Sequence, residues 1–249
     1  MRFAASLVEP RPSGASDLAR SVRASASALE PLARRGLRAM LWADLSSEYD
    51  ARFLKDHLET EGVALGEGFR RALAVWAEDE QEHCAGFREV YHAAFGTPLP
   101  QLDAELARRA SEVDFAPIAH LMEDEFSIAC LFAYDELATV RAYRANRERY
   151  ELLGKELVQF VAEVTADEGR HFAAFLRLLR DEHTSRLVDA PAVIDRIRAS
   201  EGVAYANTFV LDHDEDDPVW TAEIFDDAAR VLRTHLASFA RRAAATRRV

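Results

Sequence analysis

Apolar residues recur along most of this chain at alternating intervals of three and four, the spacing that lines one side of an α-helix. The pattern predicts four long helices over residues 37–61, 67–95, 115–150 and 154–183. Gly62 and Gly66, the run Gly96-Thr97-Pro98, and Gly154 interrupt it where helices should stop. A segment of about 28 residues at 1.5 Å rise would be ~42 Å long, the scale of a bundle helix. A shorter helix is expected near 190–200 and another over about 219–245, separated by the acidic loop Asp212–Pro218. The fold class read from this pattern is all-α. Residues 1–36, rich in Ser, Ala and Arg, read as an N-terminal arm with a short helix. Residues 37–185 read as a bundle of four helices, and residues 186–249 as a helical appendage packed on it.

Two of the apolar stripes are interrupted at their centres by polar residues. In the second long helix the stripe runs Phe69, Leu73, Trp76, Glu80, His83, Phe87, Val90. In the fourth it runs Leu157, Val161, Val164, Glu168, His171, Phe175, Leu178, each position the earlier one plus 88. The same offset relates Glu48 on the first helix to Glu136 on the third, and each stands 32 residues before its Glu-x-x-His pair. On the first helix Asp44, one turn before Glu48, is a rival candidate. A third pair, Glu89 and His92, lies about 180° round the helix from Glu80 and faces away from the stripe.

A bare carboxylate on a buried stripe is costly, so the pattern needs a chemical reason. Glu and His three residues apart project from one side of a helix, and a Glu from each of two further helices completes the donor set of di-iron and di-manganese carboxylate bundles. Four carboxylates balance two divalent cations. Without metal they would repel one another and have to take up protons. The candidate ligands are therefore Glu48, Glu80, His83, Glu136, Glu168 and His171. Oxygen donors with two imidazoles suit two iron ions, or manganese at one or both positions. Asp79 and Asp167, also 88 apart, are placed to accept the second ring N–H of the histidines. Each Asp is expected to serve the His of the opposite helix pair.

Composition narrows the function classes. The net charge of -12 disfavours nucleic acid as a partner, because neutralising phosphate needs a basic face. No run of 18 apolar residues exists, so no membrane span is expected, and the first eight residues hold too short an apolar run for a secretory signal. Two cysteines, Cys84 and Cys130, make no disulfide framework and point to a reducing, cytoplasmic setting. His213 in its acidic loop reads as solvated, a hard-cation site being the alternative.

These motifs resemble the ferritin-like di-iron superfamily, and within it the soluble acyl-[acyl-carrier-protein] desaturases. Thr165-Ala166-Asp167-Glu168-Gly169-Arg170-His171 and Trp76-Ala77-Glu78-Asp79-Glu80-Gln81-Glu82-His83 resemble that family's two metal motifs. Asp44-Leu45-Ser46-Ser47-Glu48 resembles its first-helix ligand segment, which favours Glu48 over Asp44. Tyr134-Asp135-Glu136-Leu137-Ala138-Thr139 resembles its third-helix ligand followed by a threonine near the oxygen site. The match covers about residues 37–185. It implies a ferritin-like four-helix bundle, O2 as co-substrate, an electron donor such as ferredoxin, a homodimer, and oxidation of an unactivated C–H bond in an acyl or similarly apolar substrate, possibly carrier-bound, with Thr139 as the catalytic side chain. Phe87, Phe132, Tyr143 and Phe175 are the candidates for lining its pocket.

The chain departs from the family in being shorter, in carrying Glu82 where the family usually has Arg, and in an overall charge that opposes an acidic carrier. Candidates for a basic docking face are Arg141, Arg144, Arg147, Arg149, Arg177 and Arg180, solvated helix faces being the alternative reading. Hydroxylation or N-oxygenation of a small molecule uses the same metal site. Iron storage without organic turnover is the alternative from another class.

Overall fold

The computed structural model describes residues 15–60, 62–201, 205, 207–213 and 219–246. Residues Asp214–Pro218 of the acidic loop and the first fourteen residues of the N-terminal arm lie outside them. The described residues form helices and connecting turns, with no strand. The helices are α1 (Ala15–Ser27), α2 (Pro31–Thr60), α3 (Glu67–Phe95), α4 (Leu99–Arg109), α5 (Glu125–Ala145), α6 (Arg147–Glu151), α7 (Lys155–Asp181), α8 (Ala190–Ser200) and α9 (Ala222–Thr246).

Local chemistry sets the boundaries; two long helices start elsewhere than expected, and the third long helix, expected to run to 150, ends at Ala145 before the short α6. The first long helix begins at Pro31 rather than 37, because a proline in the first turn lacks only an N–H that has no helical partner there. The third begins at Glu125 rather than 115. Asp124 caps it by accepting the Ser127 N–H at 2.8 Å, while Ala116–Leu121 forms a 3₁₀ turn started by Pro117 and the Asp114 carboxylate. Helix α4 has no counterpart in the expectation. Its short amphipathic face is anchored by the buried Leu102 and Leu106, and Arg88 of α3 reaches both carboxylate oxygens of Asp103. Gly96 ends α3 in a left-handed conformation (φ 72°) and returns its N–H to the His92 carbonyl.

Helices α2 and α3 pack together, α5 packs on α7, and α3 meets α7. Helix α1 lies over α3 and α7, while α8 and α9 cover α5. Two hydrophobic clusters fill the interior. One gathers Leu54, Phe69, Trp76, Phe132 and Phe175 with the residues of α8 and α9. The other gathers Leu41, Leu45, Phe87, Val90, Tyr143 and Val161. Along α2 and α7 the chain passes from the second cluster to the first, and along α3 and α5 from the first to the second. Between them, on all four helices, lies a layer of buried polar residues.

Candidate metal centre

That layer contains all six sequence candidates. Glu48, Glu80, His83, Glu136, Glu168 and His171 are each buried to at least 95%. They form two overlapping groups, Glu48/Glu80/His83/Glu168 and Glu80/Glu136/Glu168/His171, with donor atoms within 4.8 Å of one another in each. Glu80 and Glu168 belong to both groups, whereas Glu48 and Glu136 belong to one each. Asp44 joins neither. It sits on a cavity wall and accepts the Tyr150 hydroxyl at 3.0 Å. His92 is also elsewhere, its Nδ1 2.8 Å from the Thr97 carbonyl.

The histidines face the cluster through Nδ1. His83 Nδ1 lies 3.4 Å from Glu48 Oε2 and 3.4 Å from Glu168 Oε1. His171 Nδ1 lies 3.3 Å from Glu80 Oε1 and 3.0 Å from Glu168 Oε2. Their other nitrogens cross between helices. His83 Nε2 is 3.2 Å from Asp167 Oδ2, and His171 Nε2 is 3.0 Å from Asp79 Oδ2. An imidazole that donates Nε2–H to a carboxylate keeps a lone pair on Nδ1, the form a metal needs. Two supports went unnoticed in the sequence. Trp76 Nε1 donates to Glu136 Oε1 at 2.7 Å, and the Tyr143 hydroxyl donates to Glu48 Oε1 at 2.5 Å. The apolar periodicity of both residues hid their polar tips.

Electrostatics show what such a cluster does without cations. Burial, then the charges of Glu168 and Glu48, push the Glu80 carboxyl up to about 8. Burial also lifts Glu168 to about 8; His83 opposes the rise and Glu136 adds to it. Burial disfavours a charged His83, but Glu168 and Glu48 outweigh it and hold the imidazole well above its ordinary value. Glu48 alone moves down, because the neighbouring Glu80 carboxyl and the charge of His83 outweigh its burial. The cluster thus holds protons when it lacks divalent charge.

The donor set fits a metal pair. Glu48 Oε2, both Glu80 oxygens and His83 Nδ1 are buried and have no protein hydrogen-bond partner. Orphaned groups of this kind are costly, and cations would satisfy them. Oxygen and imidazole donors suit iron or manganese.

A cavity of about 430 Å³ opens onto the Glu48–Glu136 edge of the cluster, with Thr139 on its wall. Of the four aromatic candidates only Tyr143 lines it. Phe132 and Phe175 pack against each other and Phe69, and Phe87 packs against Phe160 and Tyr143, while Phe175 also lines a second cavity of about 490 Å³ beside Asp79 and His171. The far wall comes from the segment after α8, which the sequence pattern left as loop. There His213 is packed rather than solvated, stacked on Trp220 at 3.9 Å with Nδ1 3.0 Å from Glu201 Oε2. Asp135 accepts the Leu211 N–H at 3.1 Å. Asn207, Phe209 and Leu211 all have positive φ (57°, 69° and 61°), a conformation non-glycine residues hold only where the surroundings enforce it.

Other candidates lie apart from the cluster. Cys84 and Cys130 are buried and reduced, and burial pushes the Cys84 thiol up to about 12, which makes it inert. Several candidate docking arginines are paired with acids at the surface: Arg141 with Asp227, Arg147 with Glu151, Arg180 with Asp181. No helix among the described residues is long and apolar enough to cross a membrane. The chain matches no protein-family model, no curated protein and no solved structure.

Proposed function

We propose that this chain is an O2-dependent di-iron oxidoreductase on a ferritin-like four-helix bundle, α2, α3, α5 and α7, with additional helices at both ends. The observation that carries the reading is the pair of overlapping buried donor groups sharing Glu80 and Glu168, with four atoms that find no protein partner. Glu80 and Glu168, common to both groups, would help hold both metals, with Glu48 and His83 holding one and Glu136 and His171 the other. The running directions of the four helices and their 88-residue repeat support the bundle assignment. Reduced iron at this position supplies electrons for the activation of O2.

The protein's own residues do the rest. Asp79 and Asp167 hold the histidine tautomers, and Trp76 and Tyr143 fix one oxygen each of Glu136 and Glu48. Thr139 lines the cavity, where its hydroxyl would be placed to hydrogen-bond a bound substrate or O2. The packed clusters above and below the polar layer keep bulk water from the reacting atoms.

Desaturation of an acyl chain, the chemistry the resemblance implies, would consume O2, two electrons and two protons, remove two hydrogens from the substrate and release two waters. Hydroxylation or N-oxygenation would instead put one oxygen atom into the substrate and one into water. The polar lining of the cavity favours this second reading. Storage without turnover gives no role to a cavity of this size at the cluster's edge.

The test is to reduce the iron-loaded protein, supply ¹⁸O2 with acyl-carrier substrates or small amines, and analyse products by mass spectrometry. A gain of one ¹⁸O marks an oxygenase and a loss of two hydrogens a desaturase. Iron-loaded protein that consumes no O2 with any of them would contradict the proposal.

A further inference from the structure

The cavity walls also bear on the substrate, provided that the cluster is the iron site proposed above. Away from the cluster the cavity presents aromatic rings, from Trp42, Tyr205, Phe209 and Trp220, and three carboxylates: Asp44, which accepts the Tyr150 hydroxyl, and Asp135 and Asp212. Two cations stand beside them, and both already have partners. Arg109 binds both oxygens of Asp50, a fully buried carboxylate behind the wall. His213 binds Glu201, with its Nε2 3.7 Å from Asp135. Arg52 adds its charge beside Asp50, so among the described residues four carboxylates, Asp50, Asp135, Asp212 and Glu201, stand beside two guanidiniums and one imidazole. The wall carries an excess of negative charge even when His213 is protonated.

We infer that this cavity binds a small molecule bearing a positively charged amine, its ammonium against Asp135 and Asp212 and its body among the aromatic rings. Three physical arguments support this class over an acyl chain. An ammonium gains from carboxylates and from the faces of tryptophan and tyrosine together. An aliphatic chain would instead bury those carboxylates against hydrocarbon with no cation to offset their charge. An anionic head group would meet like charge. The volume of about 430 Å³ falls within the range of small-molecule sites.

The segment holding Asp212 is built to stay in place. Its left-handed residues are tied down by the Asn207 amide on the Arg109 carbonyl at 2.9 Å and by the Leu211 N–H on Asp135. Phe209 packs edge-on against Trp76, the residue that orients Glu136, with ring centroids 5.0 Å apart. The amine-binding wall is thus linked to the cluster through Trp76.

Calorimetry on the iron-loaded full chain tests the inference with four probes: phenethylamine, 2-phenylethanol, 3-phenylpropanoate and a decanoyl pantetheine thioester. Phenethylamine is expected to bind at least about tenfold tighter than the neutral alcohol, and more tightly than the carboxylate or the thioester. Its affinity should fall about tenfold in Asp212→Asn, with the iron content unchanged. Equal or tighter binding of the alcohol or the thioester to the wild-type protein would overturn the inference, whatever the variant does. So would an unchanged amine affinity in a folded Asp212→Asn protein. Iron loading without amine preference defeats this inference alone, and amine preference in a chain that binds no iron defeats the metal reading alone.

Discussion

The two halves of the 88-residue repeat supply matching donors from unlike surroundings. Helices α2 and α3 bring Glu48, Glu80 and His83; α5 and α7 bring Glu136, Glu168 and His171. Each histidine leans on the aspartate of the other half, so this part of the arrangement is symmetric. The shells around it are not. Helix α5 buries 17 of its 21 residues because α7 packs on one side and α8 and α9 on the other, whereas α2 buries 10 of its 30. Glu136 takes a hydrogen bond from an indole and Glu48 one from a phenol. The repeated residues build the polar cluster, and the unrepeated ones build the cavity beside it.

Substitutions at shared and unshared carboxylates should break this comparison most sharply. Glu80→Gln removes a donor common to both groups and is expected to cut iron from about two per chain to well under one; Glu48→Gln should leave about one. Elemental analysis of the purified proteins decides it, and equal losses in the two variants would remove the distinction between shared and unshared residues. Next in size, Asp167→Asn and Asp79→Asn should each weaken metal binding by about 10–100-fold. The two losses should match within a few-fold in metal-competition titrations, as the cross-paired geometry is symmetric.

The pH response of the metal-free protein is a third check. Glu80 and Glu168 keep protons to about pH 8 in the folded chain, while in the unfolded chain they lose them near their ordinary value of about 4.5. The folded state therefore binds more protons across this window. Stability should be greatest at its acid end and fall as pH rises towards 8. Thermal unfolding should show that fall without metal, and iron, by displacing the protons, should abolish it. A flat metal-free profile would mean that the carboxylates are not held as described. The smallest effects belong to the unlike supports. Trp76→Phe and Tyr143→Phe each remove one hydrogen bond to one unshared carboxylate and should cost about 1–2 kcal/mol in denaturant unfolding.

How much of this was legible in the sequence follows the same division. Glu80, His83, Glu168 and His171 stood out because a charge in the middle of an apolar stripe is costly unless something binds it, and the repeat then pointed to Glu48 and Glu136. Helix period alone left Glu48 and Asp44 open, since the two lie one turn apart on nearly the same face, and the motif resemblance chose Glu48. Helix ends were missed where a single side chain decides them, as at Pro31 and Asp124. The cavity wall was illegible because Asn207, Phe209, Leu211 and His213 belong to no period and owe their positions to contacts with α4, α5 and α9. Phe87, Phe132 and Phe175 share a stripe with the cluster, yet the stripe gives height along a helix and not which side a ring turns to.

The most direct test of the central claim is Mössbauer spectroscopy with iron analysis on the iron-reconstituted full chain. Two irons per chain, magnetically coupled in the oxidised protein, are the result expected when Glu80 and Glu168 help hold both metals. One iron or none per chain, or two uncoupled ions, would contradict it.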